Sequence, residues 1–568
     1  MADEFQIDGQ NSAASFTLKV HRGDGMALLG MNWKNGKPPK NFVGFAIEYK
    51  EPNGTQYYAL KNRLSFPDTV GDDRLSTMRS PIQKFRWVHF PRNANLPGEF
   101  TYKVTPVFMN DQDELSYGES QTVPIELRRE TYPGKLNVTF TRGFVSSQAF
   151  VNKFESAGPI SKLLPAKAKD GLKFVPTHPK ADEALAWMGF EARETILDVL
   201  DKAVADKKAQ VRVVAYDLSE ADVVSRLQKL GSRLRIIIDD SADHGEAGSG
   251  ENQAETLLKA SAGSGNVKRQ HMGKLQHNKT IIVDGPKGRM VVCGSTNFSW
   301  RGFFVQANNA VVMHGKKAIE PFLDAFENYW NNDDAAGFGS TGSAKWTDLG
   351  LSGINAKVSF SPHSASNALL QTVADDIGQH TNSCLFYSLA FLAQTKGAIK
   401  NAISKVTKDK KKFVYGISDK KAGGIIVQKP DGNLAPVYSS ALAKDVPPPF
   451  KAEPTGGGGI RMHHKFLVID FDKPTARVYL GSYNFSGAAD LSNGENLVLI
   501  RDRRIAVSYA IEALCIFDHY HFRVKQNELK KEKKRVELEL PPRKPGEKAW
   551  WEEDYTDARK IRDRELFS

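Results

Sequence analysis

His277-Asn278-Lys279-Thr280-Ile281-Ile282-Val283-Asp284, trailed by Gly294-Ser295-Thr296-Asn297-Phe298-Ser299, decides the reading of this chain because it recurs. The second copy is His463-His464-Lys465-Phe466-Leu467-Val468-Ile469-Asp470, trailed by Gly481-Ser482-Tyr483-Asn484-Phe485-Ser486, 186 residues further on. A lone His-x-Lys is supplied often by chance. Two copies with one His-Lys-Asp spacing, each followed by Gly-Ser-x-Asn-Phe-Ser, mark an internal duplication. It delivers two histidines, two lysines and two asparagines to one place.

Each copy opens a strand. His277 and Lys279 are two apart and share a face of extended chain, as do His463 and Lys465. An ammonium beside an imidazole suits a phosphate diester: the ammonium binds a non-bridging oxygen, and the imidazole acts as nucleophile or acid. Asn297 and Asn484 add uncharged amide donors. Ser295 and Ser482 add hydroxyls from the turn after the next strand. One half gives half a site, whereas two facing halves give a nucleophile and a proton donor. His464 alternates to the opposite face, away from the chemistry. No Asp/Glu/His cluster has metal spacing in the sequence, so neither metal nor cofactor is expected.

The segments around the copies alternate strand and helix. Helices are expected at 183–205, 220–230, 253–262, 365–380 and 398–406, between short apolar strands. The pattern restarts at 357, which implies two α/β units joined near Asp333–Lys345, a Gly- and Ser-rich linker. Residues 14–130 read differently, as about six short strands with turn signals, including Asn53-Gly54, and suggest a β-sandwich. Phe42, Gly44, Ala46 and Glu48 alternate there with Val43, Phe45, Ile47 and Tyr49, so one face of that strand is expected to be the apolar one. The stretch Gly98–Val104 loosely resembles the late strands of fibronectin type III domains. The expected organisation is a sandwich at 1–132, a first half at 133–345, a second half at 346–525 and a basic tail at 526–568. In that tail Lys525–Arg535 reads as a solvated helix or linker, and Trp550-Trp551 as an anchor onto the body. Gly456–Gly459 reads as a mobile loop beside the site.

The duplicated pattern resembles the phospholipase D superfamily, whose signature is His-x-Lys-x4-Asp with a downstream Gly-Ser-x-Asn. The resemblance covers roughly 134 to 525. It implies two halves packed about a pseudo-two-fold axis, and a metal-independent phosphodiesterase in which one histidine attacks phosphorus to give a phosphohistidine. The other histidine protonates the leaving oxygen. His277 and His463 would be that pair. Lys279, Lys465, Asn297 and Asn484 would hold the phosphoryl oxygens, with Ser295, Ser482 and Asn308 also on the substrate. Asp284 and Asp470 would be structural.

Twelve residues after each signature asparagine lies a further pair, Glu495-Asn496 in copy two and Asn308-Asn309 in copy one. In the family the glutamate commonly bonds the second nitrogen of its motif histidine. The resemblance therefore implies Glu495 on His463 and an amide, Asn308, beside His277. A carboxylate partner favours the charged imidazole, so His463 is expected as the acid and His277 as the nucleophile.

A formal net charge of +12 over 568 residues suits a polyanionic substrate. It favours nucleic acid over phospholipid, and hence a nuclease. A phospholipase or phosphatidyl transferase, and a catalytically dead binding protein, are the alternatives. The sandwich is expected to recruit a protein partner or to shape the substrate groove. No run approaches the roughly 18 apolar residues of a membrane span. The acidic start and three sparse cysteines, Cys293, Cys384 and Cys515, point to the cytoplasm.

Overall fold

The computed structural model describes residues 5–128, 130–142, 150, 153–390, 392, 397–419, 425–437, 462–531 and 537–568. Gly456–Gly459 lie outside them. Among the described residues no helix is long and apolar enough to cross a membrane.

Two antiparallel sheets open the chain. One runs Gln6–Asp8, Phe16–Arg22, Ala27–Trp33, Arg86–His89. The other runs Tyr58–Ala59, Phe42–Lys50, Glu99–Met109, Leu115–Tyr117, with Gln121–Glu126 also on Glu99–Met109. Phe16, Leu18 and Leu29 of the first meet Phe45, Ile47 and Phe100 of the second in one buried core, which makes a sandwich. The single apolar face expected of Phe42–Lys50 is not what forms. A bulge between Phe42 and Gly44 shifts the register, so Phe42 joins Phe45 in the sandwich core while Val43 and Ala46 enter a second cluster on the opposite face. Gly44 makes the bulge possible: its φ is 133°, and a Cβ there would lie 2.7 Å from the Ile82 carbonyl oxygen.

The two halves repeat one mixed sheet. In the first the order is Leu136–Phe140, Asn309–His314, Gly288–Gly294, Lys279–Gly285, Gln210–Ala215, Leu234–Ile238, Val267–Arg269. In the second, after the short Thr347–Asp348, it is Asn355–Ser361, Glu495–Arg501, Arg477–Gly481, Lys465–Ile469, Cys384–Leu389, Phe413–Asp419, Ile425–Gln428, Leu434–Val437. Four antiparallel pairings followed by one parallel pairing occur in the same sequence in both. Each motif strand is therefore central, with antiparallel neighbours on both sides, Gly288–Gly294 and Gln210–Ala215 in the first half and Arg477–Gly481 and Cys384–Leu389 in the second.

The inner faces of both sheets enclose a shared core with two helices. Lys316–Asn331 buries Ala318, Ile319, Phe322, Ala325, Phe326 and Tyr329, an i, i+3, i+4 stripe. Arg503–Lys531 buries most of its first five turns, from Ile505 to Tyr520. A helix apolar nearly all round must be covered on every side, and here two sheets cover it.

Two expected connectors turn out to be packed. Asp333–Lys345 is not a free linker: its helix Ala335–Gly339 is capped by Asp334, and Phe338 stacks on Tyr329 with centroids 4.0 Å apart. An aromatic in a Gly-rich stretch outweighs its neighbours' freedom once it finds a flat partner. The end of the expected tail is built into the body, with Trp550 and Trp551 as the anchor expected of them. Trp551 is buried in the sandwich core, and Trp550 stacks on Phe85. Phe567 lies among Phe386, Phe413 and Phe471 of the second half, while its carbonyl oxygen is 2.7 Å from His21 Nε2 of the sandwich.

Candidate active site

The repeated turn explains its own sequence. Gly294 and Gly481 have φ of 139° and 132°, and a Cβ on either would meet the carbonyl oxygen of Asn309 or Asn496 within 2.5 Å and 2.3 Å. Phe298 and Phe485 fill core positions. Ser299 and Ser486 cap five-residue helices, accepting from Gly302 N and Ala489 N. Between these fixed points Asn297 and Asn484 are held beside the motif strands.

His277 and His463 meet across the two halves, ring centroids 6.3 Å apart and inclined at 63°. Each stands two residues before the first residue of its strand, Lys279 or Lys465. Parallel bridges join Gln276 to Gly494 and Met462 to Ala307, with Gly494 N donating to Leu275 O and His463 N to Ala307 O. Each motif lead-in is thus registered against the other half, and the partners cross. His277 Nδ1 lies 2.9 Å from Glu495 Oε2, and His463 Nδ1 lies 2.8 Å from Asn308 Oδ1. This overturns the pairing expected from the sequence, in which Glu495 served His463 and Asn308 lay beside His277. The pseudo-two-fold axis hands each half's partner to the opposite histidine.

Ser295, Ser482 and Asn308 are fully buried and lie behind the two imidazole rings. Ser295 Oγ donates to Asn308 Oδ1 at 2.9 Å, and Asn308 Nδ2 donates to Gly302 O, which fixes the amide with its oxygen toward His463. Ser482 occupies the same place against Glu495. Asn493 Nδ2 donates to the other Glu495 oxygen at 3.1 Å. Lys465 Nζ donates to His463 O at 2.9 Å and lies 3.1 Å from His463 Nε2. Lys279 Nζ donates to His277 O and lies 4.6 Å over the Tyr216 ring.

Burial and the two ammonium groups hold both imidazoles well below the ordinary histidine pKa. Burial draws Lys279 down to about 7, against the pull of Glu495 and Asp217, and raises the Glu495 carboxyl to about 8. Neutral imidazoles with Nδ1–H tied down leave Nε2 as the reactive nitrogen.

The motif aspartates lie outside this cluster and differ from each other. Asp470 is buried and accepts from the backbone N–H groups of Asn382, Ser383 and Cys384. Asp284 pairs at the surface with Arg289 Nε at 2.8 Å. His464 points away, buried against Phe140 and 3.4 Å from Glu512.

Sequence reasoning missed the acidic side of the site. Asp217 accepts from Asn297 Nδ2 at 2.7 Å, and its other oxygen is 3.0 Å from His244 Nε2. His244 Nδ1 is 2.8 Å from Asp239, which accepts from Gln276 N. Asp217, His244 and Glu251 bring ligand atoms within 4.8 Å of one another, the one such group among the described residues. The expectation of no metal-compatible cluster therefore does not hold in space, since these residues converge from separate strand ends. Both His244 nitrogens already face carboxylates, and Glu251 Oε1 accepts from Leu218 N at 3.0 Å. The donor set is thus spent on hydrogen bonds and does not fit an ion. Asp217 follows the end of the strand that pairs with the motif strand, and Asp239 the end of the next strand out, the position where sheet proteins present side chains, and that was the available signal.

Residues 196–330 and 375–513 match the family model described as cardiolipin synthase, phospholipase-D-like domain. The chain belongs to the phospholipase D superfamily. Proteins called phospholipase D from Rickettsia felis and Rickettsia prowazekii are each 47% identical over 47 residues, 8% of this chain. The chain spans about a fifth of the length of these curated relatives, 22% and 21%. Among solved structures, the phospholipase D family member Nuc from Salmonella typhimurium is 28% identical, with 25% of this chain and 87% of that one covered at a TM-score of 0.21. Phosphatidylserine synthase from Haemophilus influenzae is 11% identical, with 65% and 92% covered at a TM-score of 0.38.

Proposed function

We propose that this superfamily member is a phosphodiesterase that needs no metal, works through a phosphohistidine, and cleaves nucleic acid. The observation that carries the reading is the pair of imidazoles 6.3 Å apart, each held at Nδ1 from the other half, with Lys279 and Lys465 beside them. His277 Nε2 attacks phosphorus as the P–O bond to the leaving group breaks, and His463 gives that oxygen its proton. The phosphorylated ring of His277 is cationic, and the Glu495 carboxylate stabilises it. Asn308 offers His463 no such charge, so His463 releases its proton more readily. The bound diester's own charge offsets the lysines and lets His463 hold that proton beforehand. Neutral His463 then takes a proton from water, whose oxygen attacks phosphorus as the P–N bond breaks. The roles are those expected from the sequence, but the reason is the reverse: the carboxylate backs the nucleophile.

The net charge of +12 supports nucleic acid. The family description and the relatives called phospholipase D favour a lipid diester as the second reading. Plasmid, RNA and phosphatidylcholine vesicles, incubated side by side in excess EDTA, separate the two. Cleavage of plasmid or RNA is expected. Binding to duplex should weaken with salt at a log–log slope of roughly −0.9 per neutralised phosphate. Vesicle hydrolysis with flat salt dependence supports the lipid reading, and activity lost on chelation and restored by a divalent ion overturns the metal-free mechanism.

A further inference from the structure

The two site asparagines are held differently. Asn297 Nδ2 donates to Asp217 Oδ2 at 2.7 Å, and Ser299 Oγ donates to the same oxygen at 3.2 Å. Behind Asp217 stands His244, whose other nitrogen faces Asp239, whose second oxygen takes the backbone N–H of Gln276, next to His277. One network thus runs from the backbone of Gln276, the residue before His277, to the amide of Asn297. The Tyr216 ring closes it, packed between the His244 and His277 rings at 4.5 and 4.6 Å.

Among the described residues the second half shows no such device. Ala215 pairs with Lys279 and Leu389 with Lys465, so the counterpart of Tyr216 is Ala390. Among the described residues Asn484 has no carboxylate partner, and its Oδ1 makes no hydrogen bond.

We propose that His244 is a positioning residue that, through Asp217, fixes Asn297 as the preset phosphoryl-oxygen donor of the site. The inference rests on the phosphodiesterase reading above. Its physical basis is charge. Asp217 alone would orient Asn297 but repel an incoming phosphate. A carboxylate at each ring nitrogen requires both N–H groups, so His244 is an imidazolium that holds Asp217 in place and offsets its charge.

The test is hydrolysis of bis-p-nitrophenyl phosphate in EDTA by purified full-length chains, with thermal melting to establish folding. His244→Gln should lower kcat/KM roughly 10²-fold, the scale of a misplaced contact, with KM raised as well as kcat lowered. Adding Asp217→Asn should restore at least about tenfold, because the amide oxygen still accepts from Asn297 while the repelling charge is gone. With Asn297→Ala already present, His244→Gln should cost less than about threefold more. A purely structural histidine gives neither rescue nor that non-additivity. If His244→Gln does not fold, Asp217→Ala in the Asn297→Ala background supplies the same non-additivity test. Active wild type with His244→Gln within twofold of it, or with additive losses or no rescue, overturns the proposal and leaves the phosphodiesterase reading standing. Wild type inactive on this probe and on the substrates above overturns both.

Discussion

His277 and Glu495 belong to opposite halves of the chain, yet Nδ1 of one lies 2.9 Å from Oε2 of the other. Neither half on its own holds both the ring and its carboxylate. The carboxylate that orients the ring arrives with the second copy of the repeat, at the end of a strand pairing with Arg477–Gly481.

Glu495→Gln should remove the rising limb of the pH–rate profile. Burial raises this carboxyl to about 8, so the ionised acceptor becomes more abundant as pH climbs through that region, and activity climbs with it. Lys279, drawn to about 7, sets the opposing fall as its ammonium is lost. The two groups interact, so the limbs belong to the pair. An amide has no proton to lose, and kcat should drop roughly 10²- to 10³-fold. A rising limb that survives in the variant would assign it to another group.

Rapid alkaline quench and mass spectrometry should find on His277 a phosphoryl adduct that still carries the other ester group of the substrate. His463→Ala should lose roughly 10²- to 10⁴-fold on a poor leaving group, the range for a general acid, and far less on p-nitrophenolate. His277→Ala should lose activity on both. The adduct on His463 would exchange the roles.

Asp470→Ala should destabilise the fold by about 3 kcal/mol, because it leaves a run of buried backbone N–H groups at Asn382, Ser383 and Cys384 without an acceptor. Asp284→Ala should stay within about 0.5 kcal/mol, as expected for an exposed ion pair. Urea midpoints compare the two, and equal shifts would contradict the difference in environment.

Asp24 of the sandwich is buried against Glu191 of the first half and accepts from Phe140 N at 2.9 Å. Burial, with Glu191 adding to it, pushes its carboxyl well above the usual range. A raised carboxyl contributes stability that is present below the unfolded value near 4 and is lost as pH rises through the folded one. Asp24→Asn should therefore raise the melting temperature at pH 8 by the equivalent of about 1 to 3 kcal/mol and change little at pH 4. An equal effect at both values would remove titration as the cause.

The histidines, lysines and asparagines were legible because a repeat reports itself in linear sequence, and the Gly-Ser-x-Asn-Phe-Ser turn because each position has a local duty. The crossing of Glu495 was not legible. Aligning the copies places Glu495 with His463, its neighbour in the same half, whereas bridges at Gln276–Gly494 and Met462–Ala307 bring together residues 218 and 155 positions apart. Register between halves is a tertiary property. Asp217 and His244 escaped for a related reason: they converge only when strand 210–215 lies beside the motif strand and strand 234–238 beside 210–215. The bulge at Phe42 shows that one inserted residue is enough to reassign a face.

Phe567 gives the sandwich a further moorage. The chain that leaves it for Leu136, Asp24 against Phe140 N and Arg86 against Asp518 already fasten it to the body, and Phe567 adds a ring wedged beside Phe386. Phe386 lies on the strand Cys384–Leu389, whose neighbour is Lys465–Ile469. The sandwich is thus a buttress rather than a swinging arm. Through Phe567 its footing is tied to the strand beside Lys465–Ile469, and Lys465 itself lies against the His463 ring.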